Sequence, residues 1–196
     1  MTKKIIIIAV LAFVAYLAYS VFVGKYNQMV TLDEEVKTIW SNVETQYQRR
    51  ADLIPNLVNT VKGFAAQEKE VLVGVTEARA KASSIQVDPS NLNAQNIAQF
   101  QQAQEQLSGA LSRLLVTVER YPELKSDQNF RDLQAQLEGT ENRIAVARKR
   151  YNESVQVYNT FIRKFPANIS ASMFGFETKS QFAASEGTEK APEVSF

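Results

Sequence analysis

The sequence predicts an all-α protein: an N-terminal transmembrane helix, then a long antiparallel helical bundle of three main helices, the first kinked near Pro55, with a short amphipathic segment near the C-terminus. Three observations carry this expectation. Residues Ile5 to Val23 hold no charged side chain. Apolar residues then recur at helical spacing in three blocks separated by breaks rich in Pro and Asp. Only 7 Gly and 5 Pro occur in 196 residues that are otherwise rich in Ala, Gln, Glu, Leu and Val, the composition of long helices. The expected divisions are an anchor over 1–24, a bundle over 25–182 and a flexible tail over 183–196, where Ser, Gly, Glu, Pro and Lys leave little to bury.

The run IIIIAVLAFVAYLAYSVFV approaches the roughly 20 apolar residues needed to span hydrocarbon, so the lipid bilayer is the partner expected for Ile5 to Val23. A cleaved signal usually has an apolar stretch of only about 7–15 residues ending at a small-x-small site. Here the run continues through Val21, Phe22 and Val23, which favours a retained anchor. Lys3 and Lys4 precede it, Lys25 follows, and Asp33, Glu34 and Glu35 come soon after. The positive-inside bias then puts the N-terminus in the cytoplasm and the body outside it, on a single-pass protein of the inner membrane.

Past the anchor, Val36, Trp40, Val43, Tyr47, Ile54, Leu57, Val61, Phe64, Val71, Val75, Ala78 and Ala82 follow a heptad seam. Arg50 and Glu68 interrupt this stripe with opposite charges, and each must meet a partner or reach water. A helix from Lys25 to Ser83 would be on the order of 90 Å long. Pro55 removes an amide donor and crowds the carbonyl of Ala51, so a kink or break is expected near Asp52 to Ile54. Asp88 is placed to cap a second helix that Pro89 opens, with Ile97, Phe100, Leu107, Leu111, Leu114, Val118 and Tyr121 on its stripe, Gln104 as the polar entry, and Tyr121-Pro122 closing it. Ser126 or Asp127 starts a third, buried along Phe130, Leu133, Leu137, Ile144, Ala147, Tyr151, Tyr158 and Phe165, with Val155 and Ile162 beside them, and ended by Pro166. The short amphipathic segment falls around Ala171 to Phe182.

Histidine and cysteine are absent, which removes the commonest general base, the usual zinc ligands and every thiol nucleophile. No cofactor, metal or enzymatic activity is therefore expected, and a net charge of +1 gives no field to gather nucleic acid. The densest motif is Arg50, Asp52, Pro55 and Asn56. It reads either as a polar patch for a partner or, more simply, as Asp52 capping a restarted helix while Arg50 or Asn56 satisfies freed carbonyls. Glu141 and Arg148 lie two turns apart and are expected to join Arg50 and Glu68 in an interhelical charge network that sets register. Tyr151-Asn152 and Tyr158-Asn159 repeat after seven residues. A binding ladder is one reading, and core packing with the asparagines bonding a neighbouring helix is the simpler one.

Several strings occur together: RADLIPNLV from Arg50, TEARA from Thr76, YPELK from Tyr121, TENRIAVARKRYN from Thr140 and YNTFIRKFP from Tyr158. With them the chain resembles the LemA family, from the membrane helix to about Phe182. The resemblance implies a membrane-anchored antiparallel helical bundle of bacterial origin, often encoded near membrane metalloproteases and linked to signalling, antigen processing and membrane assemblies. It also implies an N-terminus outside the cell, against the lysine count. The function expected is a membrane-anchored scaffold or adaptor that forms a homo-oligomer or recruits partners, because helix one outruns helix two and would leave Trp40 and Tyr47 exposed. The alternative is a regulatory or sensor subunit of a membrane protease or signalling protein.

Overall fold

A computed structural model describes residues 2–183, and every regular element within them is helical: α1 (Thr2–Phe64), α2 (Lys69–Ser84), α3 (Ala94–Val118), α4 (Pro122–Ser126), α5 (Gln128–Arg163) and α6 (Ala167–Phe174). All but the first residue of the expected tail over 183–196 lies outside the described residues. Helix α1 runs 63 residues without a break across residues 24 and 25, about 95 Å at 1.5 Å per residue. Its N-terminal part has a mean hydropathy of 2.6 over 18 residues, none of them buried, and is long and apolar enough to cross a membrane.

Pro55 lies inside α1, which runs on through it to Phe64, so there is no break near Asp52 to Ile54. Its ring faces solvent. The carbonyl it leaves without an amide belongs to Ala51, which is buried, and Arg79 on α2 donates to that oxygen from Nε at 2.7 Å. The partner is thus the arginine of the TEARA string. Asn56 and Arg50 do not fill that role: Asn56 is exposed and Arg50 points elsewhere.

The expected rod from Lys25 to Ser83 instead breaks at residues 65–68, and α2 returns beside α1 with Arg79 next to Ala51. Ala65, fully buried, takes the seam position beyond Val61, and Phe64 is turned outward. A continuous rod would have carried Glu68 into the core; the reversal leaves it at a corner where Arg120 and Tyr121 reach it.

The second break also differs. Asp88 and Pro89 make a turn, with Ser90 N–H donating to Asp88 Oδ1 at 2.8 Å and Asn91 N–H to the Asp88 carbonyl. Helix α3 opens five residues later under an Asn93 cap, because Val87 and Leu92 are drawn into the core by the segment between. Pro122 opens α4 at its first turn, and Asp127 caps α5 through Phe130 N–H. Toward the end, helix and coil fall the other way round from expectation. Residues 167–174 are helical, Gly175 closes α6 in the left-handed region at φ 74°, and 176–183 run on without helix or strand.

Along α1 the partners on α5 descend in number: Lys25 lies over the Phe161 ring, Trp40 meets Tyr151, and Arg50 meets Glu141. Two cores result. One gathers Trp40, Tyr47, Phe100, Tyr151, Tyr158 and Phe182; the other gathers Ile54, Leu57, Leu107, Leu114, Phe130 and Leu137. Trp40 is fully buried and Tyr47 nearly so, so the apolar overhang expected around them does not exist. Phe100 of α3, Tyr151 of α5 and Phe182 of the extended segment cover it.

Arg79→Ala in the full chain is expected to lower the unfolding free energy by about 1–3 kcal/mol, the desolvation penalty of an unpaired buried carbonyl. In a Pro55→Ala background residue 55 regains an amide for that carbonyl, and the same substitution should cost less. Guanidinium titrations of the four proteins in detergent micelles check the cycle; equal losses in both backgrounds contradict the pairing.

Candidate functional site

Arg50 is 1% exposed and sits between the two cores. Nη1 donates to Glu141 Oε1 on α5 and to Ser108 Oγ on α3, both at 2.8 Å, and Nη2 donates to Gln104 Oε1 at 2.7 Å and to the Gln104 carbonyl at 3.2 Å. The Tyr47 ring lies 5.1 Å from the guanidinium carbon. Gln104, the polar entry on the α3 stripe, also donates to the Ala82 carbonyl of α2. One planar fork therefore joins α1, α3 and α5, a geometry that suits Arg and not Lys.

The expected charge network does not include Glu68 or Arg148. Glu68 belongs to the far corner, where it accepts from the Tyr121 hydroxyl at 2.6 Å and pairs with Arg120 at 3.1 Å, while Gln67 donates to the Tyr121 oxygen. Pro122 follows as the first residue of α4. Asp52 is exposed, accepts from Gln48, and lines an open groove of about 1030 Å³ between α1 and the segment leading into α3.

Arg148 instead belongs to a site that the sequence named only in part. The extended segment 177–183 lies along α5 and is held there by the repeated Tyr-Asn pairs. Asn159 Nδ2 donates to the Lys179 carbonyl at 2.8 Å, and its Oδ1 accepts from Lys179 N–H at 2.9 Å. Asn152 repeats this on Phe182, donating to its carbonyl at 3.2 Å and accepting from its N–H at 2.9 Å. The Tyr158 hydroxyl donates to the Glu177 carbonyl at 3.0 Å and the Tyr151 hydroxyl to the Ser180 carbonyl at 2.8 Å. Spacing explains the register. Seven residues of helix rise about 10.5 Å, while three residues of extended chain cover about 10 Å, so each repeat on α5 meets every third residue of the strap. The asparagines thus bond an extended strap, not a neighbouring helix.

Side chains add selectivity at two positions. Phe182 is buried between Trp40, stacked at 5.7 Å, and the rings of Tyr151 and Phe100, with the Arg148 guanidinium 4.7 Å from its centre. Arg148 also donates to the Ala183 carbonyl. Lys179 Nζ pairs with Asp33 at 2.8 Å, beside Lys37 at 2.7 Å, and lies over the Tyr158 ring. Burial works to raise the Asp33 pKa, but the hydrogen bonds and charges of Lys179 and Lys37 outweigh it and hold the carboxyl below its ordinary value. Burial pushes Tyr158 up to about 12 and Tyr151 higher still, so both hydroxyls remain donors across the physiological range. The sequence signal was the seven-residue Tyr-Asn repeat; nothing local marked residues 177–183 as its occupant.

Comparison with known proteins adds the ancestry of this arrangement. A model of the LemA family matches residues 39–196, which include the hub, the ladder and the strap. Magnetosome protein MamQ 1 of Paramagnetospirillum magneticum is 27% identical over 91% of this chain and 71% of its own length. Magnetosome protein MamQ of Magnetospirillum gryphiswaldense is 27% identical over 89% and 70% respectively. Protein LemA of Metamycoplasma hominis is 24% identical over 86% and 73%.

Asp33→Asn is expected to loosen the strap by about 1 kcal/mol, the scale of a largely shielded surface pair. The reading is faster amide exchange at Lys179, Ser180 and Phe182. The sign for pH follows from the depressed Asp33 pKa: the pair's contribution is complete above the ordinary carboxylate value and is lost as pH falls through the lower, folded-state value. The amide-exchange protection of Lys179, relative to its intrinsic rate at each pH, should therefore hold from about pH 7 to 5 and fall only below about pH 4. A transition near neutrality contradicts this.

Proposed function

The chain belongs to the LemA family, and from that premise we propose that it is a non-catalytic, membrane-anchored scaffold whose antiparallel helical body self-associates by exchanging the strap 176–183 between copies. The observation that carries this reading is the ladder itself: four side chains of α5 bind the strap through its main chain, while the Phe182 pocket and Asp33 select a Phe three residues after a Lys. Main-chain recognition of an extended segment works equally well when that segment comes from another chain. A second copy carries the matching segment by identity, and confinement to one membrane raises its effective concentration. In this reading residues 5–23 span the bilayer once and 25–182 form the body, and the lysine asymmetry supports a body outside the cytoplasm of a bacterial inner membrane.

The absence of cysteine makes a thiol cross-linking test clean. Gln181 Nε2 donates to the Asn152 carbonyl at 2.8 Å, one helical turn before the exposed Gln156, so Gln156→Cys and Gln181→Cys come within reach of a short bismaleimide wherever the strap is seated and leave the ladder side chains intact. Co-expression of the two single variants in one membrane should yield a covalent heterodimer on treatment with that cross-linker. Intrachain closure of the double variant with no heterodimer from the single variants would refute exchange.

A further inference from the structure

Helix α6 is built inside out for a helix in water. It buries its small residues, Ala167, Ser170 and Ala171, against α1 and α5, and turns Ile169, Met173 and Phe174 outward. Phe165, in the turn that joins α5 to α6, is 81% exposed beside that outer face. Such large apolar groups, collected on one short element, are costly to leave in water.

The position of this face identifies what covers it. The Phe174 ring meets Tyr26 at 4.8 Å, and Tyr26 is three residues, about 4.5 Å of helical rise, beyond the end of the apolar run at Val23. Lys25 lies over Phe161, and α5 descends past that point toward the anchor before Phe165 appears. The register set by Trp40–Tyr151 and Arg50–Glu141 puts residue 165 opposite residue 26, about one turn past the apolar run, where hydrocarbon gives way to headgroups. Lys25, Arg163 and Lys164 share that end of the body. An outer face of Phe, Ile and Met beside basic residues, at the depth of the bilayer boundary, is the chemistry of an interfacial helix.

We propose that Phe165 and α6 form a foot that lies in the headgroup–acyl boundary of the bilayer, a second membrane contact that fixes the tilt and rotation of the body. The proposal rests on the reading that residues 5–23 span the membrane. The foot also sits at the root of the strap, since Gly175 alone separates α6 from Phe176. Lipid contact therefore fixes the point from which the strap leaves.

The test uses the full chain in phosphatidylcholine vesicles with a bimane fluorophore at one introduced cysteine: Met173→Cys for the foot, Leu11→Cys for the middle of the span, and Val116→Cys on the distal, solvent-facing side of α3. All three native side chains are exposed, so each label is tolerated sterically. Replacing the lipids with chain-brominated phosphatidylcholine, which quenches on contact, should reduce emission about twofold or more at 173 and 11 and leave 116 unchanged. Ile169→Cys repeats the reading on the same face should Met173→Cys fold poorly. Quenching at 11 with none at 173 or 169 overturns the foot and leaves the span standing. No quenching at 11 overturns the spanning reading and the foot with it.

Discussion

The buried guanidinium of Arg50 is the constraint on which the rest of the body depends. Burying a charge with no partner costs several kcal/mol, so the site folds only when α3 and α5 present Gln104, Ser108 and Glu141 to it together. Apolar side chains on either side pack almost as well after a slide of one turn; the fork does not. It therefore sets the register of three helices at one level and divides the interior into two apolar clusters. Next to it in sequence, the Ala51 carbonyl accepts from Arg79, which ties α2 to the same level. The RADLIP string and the TEARA string are two halves of one device.

Register at that level propagates toward the membrane. With Glu141 held against Arg50, two further helical repeats of α5 place Tyr151-Asn152 and Tyr158-Asn159 beside Trp40 and Asp33, and only that alignment seats the strap over the tryptophan. The strap closes the proximal core where α2 and the distal end of α3 do not reach. It does the work that a neighbouring chain would otherwise do for the exposed seam. Helix α1 is continuous from the apolar run to the hub, so one element joins the two.

How much of this was legible in sequence depends on the range of the interaction. Helical periodicity marked most of the buried faces of α3 and α5, since Phe100, Leu107, Phe130, Ile144 and Tyr151 lie where the stripe puts them. Phe165, expected on the same buried stripe, is 81% exposed because α5 ends at Arg163 and the chain turns there. The polar intruders Arg50 and Glu68 were visible as needing partners, but not which partners: Arg50 found Glu141, while Glu68 became the brace of a reversal. That reversal could not be read from the seam, because Ala65 offers periodicity no contrast with Phe64. Pro55 was expected to break α1 on local grounds, and a side chain 24 positions downstream overrode them. The strap was hidden for a related reason, since an extended segment held by main-chain hydrogen bonds leaves almost no signature of its own.

The most direct measurement of the central constraint is guanidinium unfolding of full-length Arg50→Lys in micelles, followed by helical ellipticity. Lysine keeps the charge and most of the length but cannot donate to Glu141, Ser108 and Gln104 in one plane. If the fork sets the register, stability falls by about 1–3 kcal/mol, the range for buried hydrogen bonds left unmade. Unfolding indistinguishable from that of the wild type would mean that charge alone suffices and that the planar junction of three helices is not what organises the fold.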